Sequence, residues 1–307
     1  MQFKYLTIIS SVLASASAMG DFGFNLGVKD NQGNCKSAEE YASDFKLLSG
    51  YSKLIKTYAV SDCNTLQILG PAADEAGFQI IAGIWPNDDS HFADEKQALQ
   101  DYLPKISKDT IKVFTVGSEA LYREDLTAQE LASKISEIKD LLQDIKDKNG
   151  DSYSDHQVGT VDSWNVIVDG ASQPAIKAAD FVYANAFSYW QGQTNKNASY
   201  SFFDDIMQAL QVIQTTKGST DIDFFVGETG WPTEGTAFEA SEPSVENAKN
   251  FFQDAVCAMR AWGVNVAIFE AFDESWKPDT SGTSDVEKYW GVYDENRSLK
   301  YSLDCKF

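Results

Sequence analysis

Histidine is nearly missing from this chain, with only His91 and His156 in 307 residues. Neither has the i,i+4 or H-x-H spacing of a metal site. His91, in WPNDDSHFADEK, is expected to open a helix after the third strand, and His156 to sit in a loop before the fifth. Without a placed histidine there is no Ser-His-Asp triad, and no metal is expected. Cysteine is also scarce. There are four, none spaced C-x-x-C, which argues against a zinc site. No G-x-G-x-x-G or P-loop signature occurs, so nucleotide chemistry has no support and no cofactor is expected. Positive charge is short as well, with 25 Lys and Arg against 46 Asp and Glu. The net charge of −21 repels nucleic acid and anionic membranes, which makes a neutral polymer the better partner.

Long apolar runs are absent too. The stretch from Tyr5 to about Ala14 is well short of the roughly 20 residues a membrane helix needs. It follows Lys4 and precedes Ala16-Ser17-Ala18, an A-x-A cleavage site, so residues 1–18 read as a secretory signal peptide. The C-terminal YSLDCKF has neither the hydrophobic tail of a lipid-anchor signal nor a retention motif. A secreted, soluble, monomeric chain is expected. The remaining residues, 19–307, suit one domain of the size of an α/β barrel.

All four cysteines follow the cleavage site, as expected for two disulfides in an oxidising compartment. Three connectivities exist. Cys35 and Cys63 each follow one of two successive strand candidates, and a Cys257–Cys305 bond would pin the tail to a late helix, which favours that arrangement without excluding the others.

Short β-branched and aromatic runs alternate with segments of helical periodicity, the pattern of repeated βα units. Eight strand candidates begin at Phe22, Lys53, Phe78, Ile111, Gln157, Phe181, Asp223 and Val264. In TAQELASKISEIKDLLQDIKD, Leu131, Ile135, Ile138, Leu142 and Ile145 form one apolar stripe, and Thr127 with Glu130 makes a capping box. Ser244 and VENAKNFFQDAVCAMRAW read the same way. Eight units close a (β/α)8 TIM barrel as a single domain. A doubly wound open sheet is the alternative.

Barrel active sites lie at the C-terminal strand ends. Those ends are rich in carboxylates: Glu119 in VFTVGSEALYR, Asp162 in VGTVDSW, Glu228 in FFVGETGWP, and Glu270, Asp273 and Glu274 after the eighth strand. With no histidine to use, carboxylate chemistry remains, and glycoside cleavage is the reaction that two carboxylates perform unaided. Five of seven tryptophans, Trp85, Trp164, Trp190, Trp231 and Trp276, fall at or just past strand ends. Trp262 and Trp290 do not. Flat rings at a barrel mouth suit pyranose stacking.

The segments VGSEALYR and VGETGWPTEG resemble glycoside hydrolase family 17, and within it the fungal cell-wall glucan 1,3-β-glucosidases that also act as glucanosyltransferases. FNLGVKDNQGNCKS, IKTYAVSDCNTLQILGPAA and FEAFDESWKPDTSGTSDVEKYWGV extend the likeness over nearly the whole chain. The resemblance implies a retaining enzyme acting on β-1,3-glucan through a covalent glycosyl-enzyme, with Glu119 as acid/base and Glu228 as nucleophile. It also implies that Tyr58, Asn185 and Tyr189 line the cleft, and that Glu274 pairs with Lys277 to position the catalytic end. One residue departs from the pattern. Ser118 stands where many relatives carry an Asn whose amide bonds a sugar 2-hydroxyl.

Asn197-Ala-Ser and Asn296-Arg-Ser are glycosylation sequons, of which Asn197 is favoured by its polar setting. Two other functions compete: a non-catalytic glucan-binding structural protein of the cell wall, and a metal-dependent hydrolase on the same barrel. A pure binder has no need of glutamates at 119 and 228, and two isolated histidines disfavour the second.

Overall fold

The computed structural model describes residues 19–278 and 285–306; the expected signal peptide lies outside these residues. Eight strands are present: β1 (Phe22–Asn25), β2 (Leu54–Lys56), β3 (Gln79–Ile84), β4 (Ile111–Ser118), β5 (Val158–Ser163), β6 (Val182–Asn185), β7 (Phe225–Thr229) and β8 (Asn265–Ile268). Each falls within its sequence candidate. All pair in parallel in chain order, and β1 closes on β8 through Phe22↔Val266 and Phe24↔Ile268. Closure removes the open-sheet alternative.

Nine α-helices pack around the strands among the described residues: α1 (Ala38–Leu48), α2 (Thr65–Ala76), α3 (Asp89–Tyr102), α4 (Ala128–Leu142), α5 (Trp164–Val168), α6 (Gln173–Ala178), α7 (Asn195–Lys217), α8 (Val245–Phe251) and α9 (Ala258–Ala261). The α4 start follows the sequence signal. Thr127 caps the Glu130 amide while the Glu130 carboxylate takes the Thr127 amide, an arrangement worth about 1 kcal/mol. Ile145 is buried as its spacing predicts, but it lies in the turn beyond the helix end. The segment predicted as one helix after Ser244 is interrupted at Phe252–Cys257 by a π-helical turn.

Apolar residues between sheet and helices form the main core. A separate cluster of Leu54, Ile81, Val113, Val161, Tyr183 and Phe225 joins strands from opposite sides of the closed sheet, so it fills the barrel axis. The mouth above that plug is where the polar strand ends converge. Disulfides join Cys35 to Cys63 and Cys257 to Cys305, the favoured connectivity.

Candidate active site

At the end of β4, Gly117 (φ 79°) and Glu119 (φ 56°) both take left-handed backbone. Gly117 can do so without strain, whereas Glu119 stores about 1–3 kcal/mol. Its amide is held by the Val161 carbonyl at 2.9 Å. The two turns set Ser118 and Glu119 on the rim, facing Glu228 from β7. Glu119 and Glu228 line the same open cleft, of about 610 Å³, whose walls include Tyr122, Trp164, Phe187, Trp190, Phe269 and Trp290.

The two carboxylates have unlike partners. Glu119 Oε1 accepts from Asn185 Nδ2 at 3.0 Å. Glu228 Oε1 accepts from Lys56 Nζ at 2.8 Å and Ser118 Oγ at 3.2 Å. Burial, then the charge of Glu228, push Glu119 up to about 7, against the pull of the Asn185 amide. Glu119 can therefore keep a proton near neutrality while standing beside a lysine-paired carboxylate.

Behind this pair, Lys277 bridges Glu270 and Glu274, each at 2.8 Å. Burial and the neighbouring Glu274 drive Glu270 well above the carboxylate range, although Lys277 opposes this. Burial works against the Lys277 charge, but the two glutamates outweigh it and raise its pKa. The expected Glu274–Lys277 pair is thus one side of a triad. Gly27 makes room for it, since a Cβ there would sit 1.8 Å from Glu274 Oε1.

The other expected site residues divide. Ser118 is buried and donates its hydroxyl to Glu228 Oε1 at 3.2 Å. Tyr58 is half-buried and donates to Asn25 Oδ1 at 3.0 Å. Trp164 and Trp190 line the cleft. The half-buried Trp85 carries the Arg123 guanidinium over its ring at 4.6 Å, and Trp276 carries the Lys29 ammonium likewise at 4.6 Å.

Three expectations are corrected. Trp231 is 2% exposed, wedged against Tyr189 and Phe251, and its indole donates to the Glu242 carbonyl at 2.9 Å. The chain after β7 folds back over it. Tyr189 is fully buried, with its hydroxyl on the Thr236 carbonyl, so it supports Trp190 from behind and does not face the cleft. Asp162 turns its buried carboxylate to the backbone amides of Leu121, Tyr122 and Ser163, fastening the loop after β4. Burial pushes it up to about 6 despite those three bonds.

Sequence reasoning missed Trp290, set aside for lying outside any strand end, yet it packs on Phe187, Trp190 and Phe269 and lines the cleft. It also missed Lys56 and Asn25. A polar residue at the end of a barrel strand was the available signal, since Asn25 ends β1 and Lys56 ends β2. His91 opens α3 as expected but is not isolated. Its Nε2 lies 2.9 Å from Asp62 and 3.6 Å from Glu95, four residues on. Both Glu95 oxygens already accept from the Val60 and Ser61 amides, so the cluster fastens the loop after β2 to α3.

A parallel barrel with two differently partnered glutamates over an aromatic-walled cleft defines a carboxylate-dependent glycosidase. The chain belongs to the glycosyl hydrolases family 17, whose model matches residues 22–305. It is 68% identical over 307 residues, all of both chains, to the glucan 1,3-beta-glucosidase BGL2 of Candida albicans. It is 63% identical over 301 residues to the glucan 1,3-beta-glucosidase of Saccharomyces cerevisiae, covering 98% of this chain and 96% of that one. Among solved structures it is similar to an active-site mutant of the Rhizomucor miehei beta-1,3-glucanosyltransferase in complex with laminaritriose. That match has a TM-score of 0.78 and 28% identity, and covers 93% of this chain and 98% of the other.

Proposed function

We propose that this protein is a secreted cell-wall enzyme that cleaves β-1,3-glucan with retention and passes the released glycosyl unit to water or to another glucan chain. Glu228 attacks the anomeric carbon while Glu119 gives its proton to the departing glycosidic oxygen, leaving a covalent glycosyl-enzyme. Glu119, now ionised, takes a proton from the incoming water or sugar hydroxyl as that oxygen displaces Glu228. The cycle ends with both carboxyls in their starting states.

The observation that carries this reading is the split between the two glutamates: one raised to about 7, the other held against a lysine at 2.8 Å. The substrate class is supported by the names of the relatives and by the laminaritriose bound to the structural neighbour. Two disulfides suit a secreted chain, and the charge of −21 favours a neutral glucan over nucleic acid or an anionic membrane. Among the described residues no helix is long and apolar enough to cross a membrane. We take the working unit to be a monomer, since one chain carries the whole cleft. Asn197, exposed in the first turn of α7, is the favoured glycan site.

Replacing Glu228 by Gln tests the assignment with laminarin as substrate. Cleavage should fall by about 10⁴-fold or more, as expected when a nucleophile is removed. A wild-type rate would remove Glu228 from the nucleophile's role, whereas wild-type protein that binds laminarin without releasing reducing ends would favour a glucan-binding wall protein.

A further inference from the structure

Resting on the reading of Glu228 as nucleophile, we propose that Asn25 and Lys56 form a buried clamp that aims Glu228 and sets a cation against it, making both positioning residues for the first chemical step. Asn25, at the end of β1, is fully buried. Its Nδ2 donates to the carbonyls of Gly227 at 3.0 Å and of Ala267 and Ile268 at 3.2 Å, which ties it to β7 and β8. Those acceptors fix the amide orientation, because the flipped form would set an NH2 group against an ammonium. Oδ1 therefore faces the mouth, where it accepts from Lys56 Nζ at 3.1 Å and Tyr58 OH at 3.0 Å.

The ammonium of Lys56 is 1% exposed and has its three directions occupied: Asn25 Oδ1, Glu228 Oε1, and the face of the Tyr58 ring at 4.2 Å from Nζ. A buried ion pair is a weak source of stability, and a packed apolar side chain commonly serves a fold as well or better. A lysine kept at this depth therefore points to the charge it supplies. Glu228 faces the carboxyl of Glu119 from β4, and the fields of Glu270 and Glu274, from beyond β8, converge with theirs on Tyr58. Of the cations nearby, Lys277 is engaged by Glu270 and Glu274, and Arg123 acts on Glu119 and Asp162. Lys56 is the one in contact with Glu228 among the described residues.

The contacts also select an oxygen. Lys56 and Ser118 both hold Oε1, and among the described residues no hydrogen bond reaches Oε2. Oε2 is thus the oxygen left to attack carbon, with its partner fixed on the protein side.

The experiment compares wild type, Lys56→Met and Lys56→Arg on a laminari-oligosaccharide. It records kcat and KM from pH 3 to 8, the melting temperature, and the residue labelled by an activated 2-deoxy-2-fluoro-β-laminaribioside. The clamp requires Lys56→Met to lose about 100-fold or more in kcat with little change in KM. Its acid limb should move up by about one pH unit or more, since a carboxylate without its cation takes up a proton more readily. Lys56→Arg should restore the acid limb and most of the rate. If the Met variant does not fold, Lys56→Gln repeats the comparison with a neutral donor. Labelling on Glu228 in every variant, with the acid limb unmoved in the neutral ones, would overturn the clamp and leave the nucleophile standing. A label on a different carboxylate of the wild type would overturn both.

Discussion

Changing Glu228 to Gln should let Glu119 release its proton at lower pH, and the size of that change can be worked out. Glu119 is raised to about 7 first by burial and then by the charge of Glu228, while Asn185 pulls the other way. Retaining chemistry places the two carboxyls about 5–5.5 Å apart, where unit charges at an effective dielectric of about 20–40 interact by roughly 1.5–3 kcal/mol. That converts to about 1–2 pH units. In Glu228→Gln, Glu119 should thus titrate roughly 1–2 units lower, yet stay above an ordinary glutamate because its burial is unchanged. Carboxyl ¹³C NMR of glutamate-labelled protein reads this directly, with Glu119→Gln identifying the resonance. In the wild type, kcat/KM should fall about tenfold per pH unit above 7, as the acid loses its proton. There is a linked effect on stability. The unfolded chain gives up this proton near 4.5 and the folded one near 7, so stability declines as pH rises through that window. Glu119→Gln lacks the decline and should melt higher than wild type above pH 5. An unchanged Glu119 titration in Glu228→Gln would refute the electrostatic coupling.

The aromatic residues should separate by role. Trp190→Ala, in the cleft wall, should weaken laminari-oligosaccharide binding by about 1–3 kcal/mol, measured by calorimetry, since it removes a stacking face. Trp231→Ala should instead cost about 3–5 kcal/mol of folding stability in denaturant titration, as it empties a buried site. Replacing Cys257 and Cys305 together by Ser should lower stability by about 2–5 kcal/mol, because the bond closes a 48-residue separation. Deglycosylation of the secreted protein should reduce its mass, and Asn197→Gln should abolish most of that change in mass spectrometry.

The barrel was legible because parallel strands, covered on both faces, are written as short apolar runs, and all eight were found that way. Glu119 and Glu228 stood out as acids ending such runs. Tyr189 was placed in the cleft by the family resemblance, and Trp231 by its position at a strand end. Strand-end position gives height in the barrel but not which loop folds over it, and the segment reaching Glu242 buries Trp231. Trp290 was missed by the same rule in reverse, since a segment following β8 carries it back into the mouth. Lys56 was not singled out in the second strand candidate, because its charge acquires meaning only once β7 brings Glu228 within 2.8 Å. The interruption at Phe252–Cys257 left no mark in the apolar periodicity of its helix.

The most direct measurement follows the first products from a laminari-oligosaccharide by ¹H NMR and mass spectrometry. Two glutamates acting through a covalent glycosyl-enzyme predict that the β-anomer appears first and that chains longer than the substrate form as its concentration rises. An initial α-anomer would show a single displacement by water and contradict the account.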